Sequence, residues 1–190
     1  MPSTPWTARR IAYIAMFVAL SAVGAYLKVP SFIGTPALDS FSGFLGALIL
    51  GPRDGALIAF LGHLFTALTA GFPLTLPFHL FIAAGMAVIV ALFAFLASYS
   101  VPLGVVIAIF FNSVLLPALF IPLPGFGKGF FIAILVPLLV ASTLNILVAV
   151  FVFAGLRRVF PNSWVLLRRR KEKETRHEHE EIPGSHFNRS

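Results

Sequence analysis

Between Val29 and Leu156 only four side chains are charged: Asp39, Arg53, Asp54 and Lys128. A stretch that long and that apolar has no way to hide its surface in water. It needs lipid as solvent, and in lipid the backbone must satisfy its own polar groups, as helices do. The composition agrees. The chain is 58% hydrophobic and 11% charged, against about 25% charged in soluble domains. Mean hydropathy is +0.95. There is no cysteine, so disulfides, thiol chemistry and cysteine metal sites are excluded. A net charge of +7 would suggest nucleic acid for a soluble protein. Here the charge is gathered beside helix ends, so it reads as membrane topology and no nucleic-acid partner is expected.

Proline and glycine punctuate the apolar sequence into six predicted spans. They run from about Ala8 to Leu27, Leu38 to Leu50, Asp54 to Ala70, Phe78 to Ala97, Pro102 to Phe120 and Phe130 to Leu156, with a kink expected at Pro137. Arg9 and Arg10 before an apolar run resemble a signal peptide, but the remaining helices form a bundle that can use this segment, so it is read as a retained first helix. The second span, about 13 residues at ~1.5 Å each, falls short of a ~30 Å hydrocarbon core. Either it is recessed, leaving a hollow at the outer surface, or it forms a bent hairpin with the third through Gly51-Pro52. Residues 1–158 are expected to be the membrane domain, and 159–190 a basic, polar tail too poor in apolar surface to fold.

The fold class is thus an all-α membrane protein, a six-helix transmembrane bundle. Arg9, Arg10, Arg53, Arg157, Arg158 and the Arg168–Lys171 cluster would share one side, and only Lys28 and Lys128 the other. Lys and Arg favour the cytoplasmic side, so both termini are expected in the cytoplasm of a multi-pass cell-membrane protein.

Two groups of residues are candidates for function. The first helix carries Ala8, Ala12, Ala15, Ala19 and Ala22 at spacings of 4, 3, 4 and 3, which keeps them on one face. Small residues let helix backbones approach closely in lipid, so the stripe serves either internal packing or docking of another membrane protein. The second group is polar. Intramembrane polar side chains are functional suspects by default: Asp39, Ser40, Thr69 and His79 fall at or near the outer mouth together with Phe72, while His63 on the third helix and Asn112 in the middle of the fifth lie deeper. Bland roles exist for each: Asp39 as a helix cap, Ser and Thr bonding back to their own helix, His63 as an interhelical donor. Their convergence beside loops rich in Gly, Pro and Phe points to a binding site. Enzymatic readings find little support. GxxxxGK[ST], HExxH and GxSxG are absent, and Asp39 and Asp54 sit at opposite helix ends. His177, Glu178, His179 and Glu180 read as a solvated tail. No metal or cofactor is expected.

The size, the helix count, the orientation and the Ala15-x-x-x-Ala19 stripe together resemble the substrate-binding S components of energy-coupling factor (ECF) transporters, over about Ala8 to Arg158. The resemblance implies a vitamin-binding subunit whose partners are a transmembrane coupling protein and a cytoplasmic ATPase pair, with the alanine stripe as docking face. Leu38-Asp39-Ser40-Phe41, Gly62-His63-Leu64, Thr69–Leu74 and Pro77-Phe78-His79-Leu80 look like the α-ribazole branch, which implies uptake of that precursor for cobalamin salvage. Phe72, Phe78 and Phe126 would then stack on a base, and Asp39, His79 and Asn112 would take ribose hydroxyls. Pantothenate or another vitamin precursor suits the same inventory. A stand-alone carrier, a structural membrane protein without a ligand, and an intramembrane enzyme using His63 or His79 are the alternatives.

Overall fold

The computed structural model describes residues 6–28 and 37–180. The expected first outer loop, Val29 to Pro36, and the last residues of the tail lie outside these. The described chain is helical apart from turns and one isolated bridge, Lys28 with Ala37. Its helices are α1 (Ala8–Gly24), α2 (Phe41–Leu50), α3 (Pro52–Thr69), α4 (Leu76–Tyr99), α5 (Val101–Ala118), α6 (Gly127–Leu156) and α7 (Trp164–Glu180). Proline stands in the first turn of α3, α4 and α5, where its missing N–H has no helical acceptor to serve. α4, α5 and α6 are each long and apolar enough to cross a membrane. Helix α6 runs on through Pro137 as one element.

Short α2 and α3 fold back on each other at Gly51, whose φ of 109° lies in the left-handed region that favours glycine. The resulting hairpin is held by small residues. A Cβ added at Gly43 would stand 3.0 Å from the Ala59 Cβ, and one added at Gly55 would collide with Ala47. Gly62 meets Ser21 of α1 in the same way. Where the surroundings are lipid-like, such close backbone approach replaces the hydrophobic effect as the source of helix association. The core is centred on Phe44, Leu48, Ile58, Val90, Phe93 and Ile146, all fully buried. Phe44 and Phe93 meet edge to face at 5.1 Å between centroids.

The bundle has two distinct ends. At one, here called the base, the Arg10 guanidinium clasps the Asp54 carboxylate, with Nε at 2.9 and 3.1 Å from its two oxygens. Asp54 is 5% exposed, and Arg10 also lies over the Trp6 ring at 4.6 Å. The tail meets the bundle here, and it departs from the sequence expectation. Residues 164–180 form a helix where an unstructured segment is expected. Val165 is buried, and Trp164 packs on Gly51. Arg169 donates to the carbonyls of Ala97 (2.7 Å) and Ser98 (3.2 Å), at the end of α4 where carbonyls lack helical partners. Arg168 donates to the Tyr99 hydroxyl at 2.6 Å and lies over the rings of Phe95 and Tyr99. The short apolar run Trp164–Leu167 followed by arginines is therefore an anchor, a pattern that average composition conceals.

The opposite end, the mouth, holds the Lys28–Ala37 bridge, the turn from Ala70 to Thr75, and the segment from Leu119 to Phe126. The start of α1 and the anchored start of α7 thus both meet the bundle at the base.

Candidate functional site

A cavity of about 170 Å³ opens beneath the mouth. Its polar wall carries Asp39, Ser40, His63, Thr66, His79, Asn112, Ser142 and Asn145. Its apolar wall includes Ile82, Met86, Leu116, Phe120, Phe130, Ile134 and Leu138. A dry apolar cavity of about 150 Å³ is enough to take up benzene, so this one has room for a ring compound. A shallower hollow bordered by Phe78, Gly125 and Phe126 shares Pro73, Leu74 and Phe130 with it. The two spaces adjoin at those residues.

Asp39 and Ser40 stand in the turn that leads into α2. That turn is held from across the bundle by Asn145 of α6. The Asn145 amide donates to the carbonyls of Ala37 and Ala141, both at 2.8 Å, and its oxygen accepts the Phe41 N–H at 2.7 Å. Asn145 is 2% exposed and fully engaged, so its part in the site is to place the segment carrying Asp39. The Thr66 hydroxyl reaches the Asp39 carboxyl and also donates to the Gly62 carbonyl at 3.1 Å. It has one proton for the two acceptors.

Asn112 belongs to a π turn, Phe111–Leu115, inside α5. Such wide turns recur at functional positions because they re-aim side chains within an otherwise regular helix. Its amide donates to the Ser142 hydroxyl of α6 at 2.7 Å. His63 of α3 and His79 of α4 face each other, Nε2 to Nδ1, at 3.2 Å. His79 Nε2 in turn accepts the Leu74 N–H at 3.4 Å. Neither ring is ion-paired among the described residues, and no cluster of three metal-ligating side chains occurs among them.

The structure therefore brings Asp39, Ser40, His63, His79 and Asn112 to one cavity. Two other candidates stand outside its wall. Thr69 is exposed and spends its hydroxyl on the Thr66 carbonyl at 2.8 Å. Phe72 stands edge-on to the His79 ring at 5.7 Å, in the turn over the cavity. Phe78 and Phe126 contact each other at 4.9 Å and border the outer hollow, in a cluster that includes Phe120 and Phe130. Thr66, Ser142 and Asn145 are wall residues that the candidate set omits. Their signal is the i, i+3 or i, i+4 spacing from His63 and from one another on α3 and α6.

On α1 the face built by Ile14, Phe17, Val18 and Ser21 is buried. Ala8, Ala12, Ala15 and Ala19 are exposed, and Ala22 is half-buried. Ser21 bonds to Ser42 of α2. The alanine stripe therefore points away from this bundle along most of its length.

The family model for the substrate-specific component of ECF transporters matches residues 9–157. A solved structure of the S component of a bacterial ECF transporter is similar in fold. Its TM-score is 0.61 and its identity 20%, over 80% of this chain and 96% of the other. No curated protein sequence matches the chain.

Proposed function

The chain belongs to the substrate-specific component family of ECF transporters, and on that premise we propose that its mouth cavity binds one neutral, ring-containing, hydroxylated vitamin precursor, with α-ribazole as the favoured candidate. The observation that carries this reading is the meeting of Asp39, Ser40, His63, His79 and Asn112 with an aliphatic and aromatic wall in one cavity. The chemistry favours a neutral ligand. Among the described residues one carboxylate and no cation line the cavity, so a phosphate-bearing molecule would lose its hydration without a counter-charge. The volume favours a ring in the deep cavity. A sugar edge would meet the polar wall formed by Asp39, Thr66 and Asn112. A planar base also suits the aromatic wall of Phe120 and Phe130.

The exposed alanine face of α1 supports the other half of the proposal. It would dock a transmembrane coupling protein that works with a cytoplasmic ATPase pair, since small side chains admit a partner helix at close range. The basic base would face the cytoplasm, which sets the cavity at the outer surface of the cell membrane.

Isothermal titration with α-ribazole tests the substrate assignment. A ribose hydroxyl held by the Asp39 carboxylate is charge-assisted, worth roughly 1.5–3 kcal/mol. Asp39→Asn should therefore bind about one to two decades more weakly while purifying as a folded protein. Wild-type protein that gives no heat with α-ribazole would reject that substrate. Binding unaffected by Asp39→Asn would remove the carboxylate from the site.

A further inference from the structure

The turn that leads into α4 is strained. Gly71, Phe72 and Thr75 have φ of 75°, 50° and 67°. A β-branched residue such as threonine rarely adopts such values, and strain of this kind gathers at functional sites. Phe72 N–H donates to the Ala67 carbonyl, and Thr75 N–H to that of Phe72, each at 2.8 Å. Wound in this way, the turn brings the Leu74 N–H to His79 Nε2.

This contact fixes the sense of every bond that follows. A backbone amide only donates, so His79 Nε2 accepts. A neutral imidazole that accepts at Nε2 carries its proton on Nδ1. His79 Nδ1–H must then donate to His63 Nε2, 3.2 Å away. By the same rule His63 carries its own proton on Nδ1. Among the described residues the one fully buried side-chain polar atom without a partner is Ser163 Oγ. Among the described residues the His63 ring bonds only to His79, through Nε2, so its Nδ1 has no partner and is not fully buried, and His63 lines the cavity.

We infer that Leu74, His79 and His63 form a hydrogen-bond relay of fixed direction, and that His63 Nδ1–H is a donor reserved for an acceptor atom of the substrate, an unprotonated ring nitrogen or a carbonyl oxygen. The inference rests on the substrate-binding reading above and adds to it a specific recognition contact. It also makes His79 a positioning residue, which orients His63 without needing to touch the ligand. A metal ion held between the rings would suit the same nitrogen–nitrogen distance. It would require His79 Nδ1 to lose its proton while Nε2 still faces an amide N–H, so the Leu74 contact argues for the relay.

The test begins without a ligand. Isotope-labelled histidine in the full chain, reconstituted in lipid nanodiscs, reports each ring's tautomer by long-range proton–nitrogen correlation. Both rings should carry the proton on Nδ1. His79 found protonated on Nε2 overturns the relay, as does zinc added alone if it shifts the facing nitrogens of both rings. His79→Asn keeps a donor near the δ position and should preserve the His63 tautomer, whereas His79→Leu should give a mixture. An unchanged His63 in His79→Leu also overturns the relay. Binding follows. The isostere of α-ribazole in which the unsubstituted ring nitrogen is replaced by C–H should bind wild-type protein about tenfold to a hundredfold more weakly, and His63→Leu should abolish the difference. Equal binding of the two compounds to wild type overturns the donor role. If wild type binds neither, the α-ribazole assignment falls, and the tautomer spectra still decide the relay.

Discussion

At the scale of single residues, the site depends as much on Asn145 as on the groups that line it with free valences. Asn145 ties Ala37, Phe41 and Ala141 together with three hydrogen bonds of 2.7–2.8 Å. Replacing it with leucine would leave the Phe41 N–H and the Ala37 carbonyl without that partner, at a cost of about 1–3 kcal/mol for each buried group left unsatisfied. Asn145→Leu should lower the thermal midpoint in detergent and weaken substrate binding by at least tenfold, because Asp39 and Ser40 lose their anchor. Unchanged affinity would mean that the turn before α2 holds its shape alone. The sequence made Asp39, His63, His79 and Asn112 legible because polar groups are rare in so apolar a chain. It hid the anchoring role of Asn145, which lies more than a hundred residues from Ala37 and Phe41. It also hid the division of labour among phenylalanines, since an aromatic in a loop looks the same whether it lines a cavity, as Phe120 does, or borders an outer hollow, as Phe126 does.

At the scale of elements, α1 separates two jobs by face. Ile14, Phe17, Val18 and Ser21 join it to the bundle, while Ala15 and Ala19 stay exposed. Leucine at Ala15 and Ala19 together should hold a partner helix away and abolish co-purification with the coupling protein, with substrate affinity unchanged within about twofold because the cavity wall contains no α1 residue. Loss of substrate binding together with assembly would assign the stripe to internal packing. The alanine spacing was readable from sequence, since period alone sets a helix face. The fold of the tail was not. Residues after Arg168 are charged enough to pass for disorder, and what orders α7 is remote: the Gly51 surface under Trp164 and the open carbonyls of Ala97 and Ser98. The short α2 was legible as too short to span, but its exact pairing with α3 depends on which glycines and alanines meet across the hairpin.

At the scale of the whole molecule, the arginine-rich base and the cavity-bearing mouth lie at opposite ends, and the proposal sets the base in the cytoplasm. The chain has no cysteine, so single cysteines report sidedness cleanly. In whole cells Lys128→Cys, exposed at the mouth, should react with an impermeant thiol reagent, and Asn162→Cys, exposed at the base, should react only after lysis. The reverse pattern would invert the bundle and place the cavity inside the cell. Mass spectrometry of compounds released on denaturing the purified protein shows whether the bundle holds one small molecule in the mouth cavity. Wild-type protein should release one neutral, ring-containing, hydroxylated compound, in amounts approaching one per chain, and Asp39→Asn protein should release much less of it. Preparations that release nothing, from cells supplied with α-ribazole and related precursors, would contradict that expectation, as would a charged phosphorylated compound retained equally by wild type and Asp39→Asn.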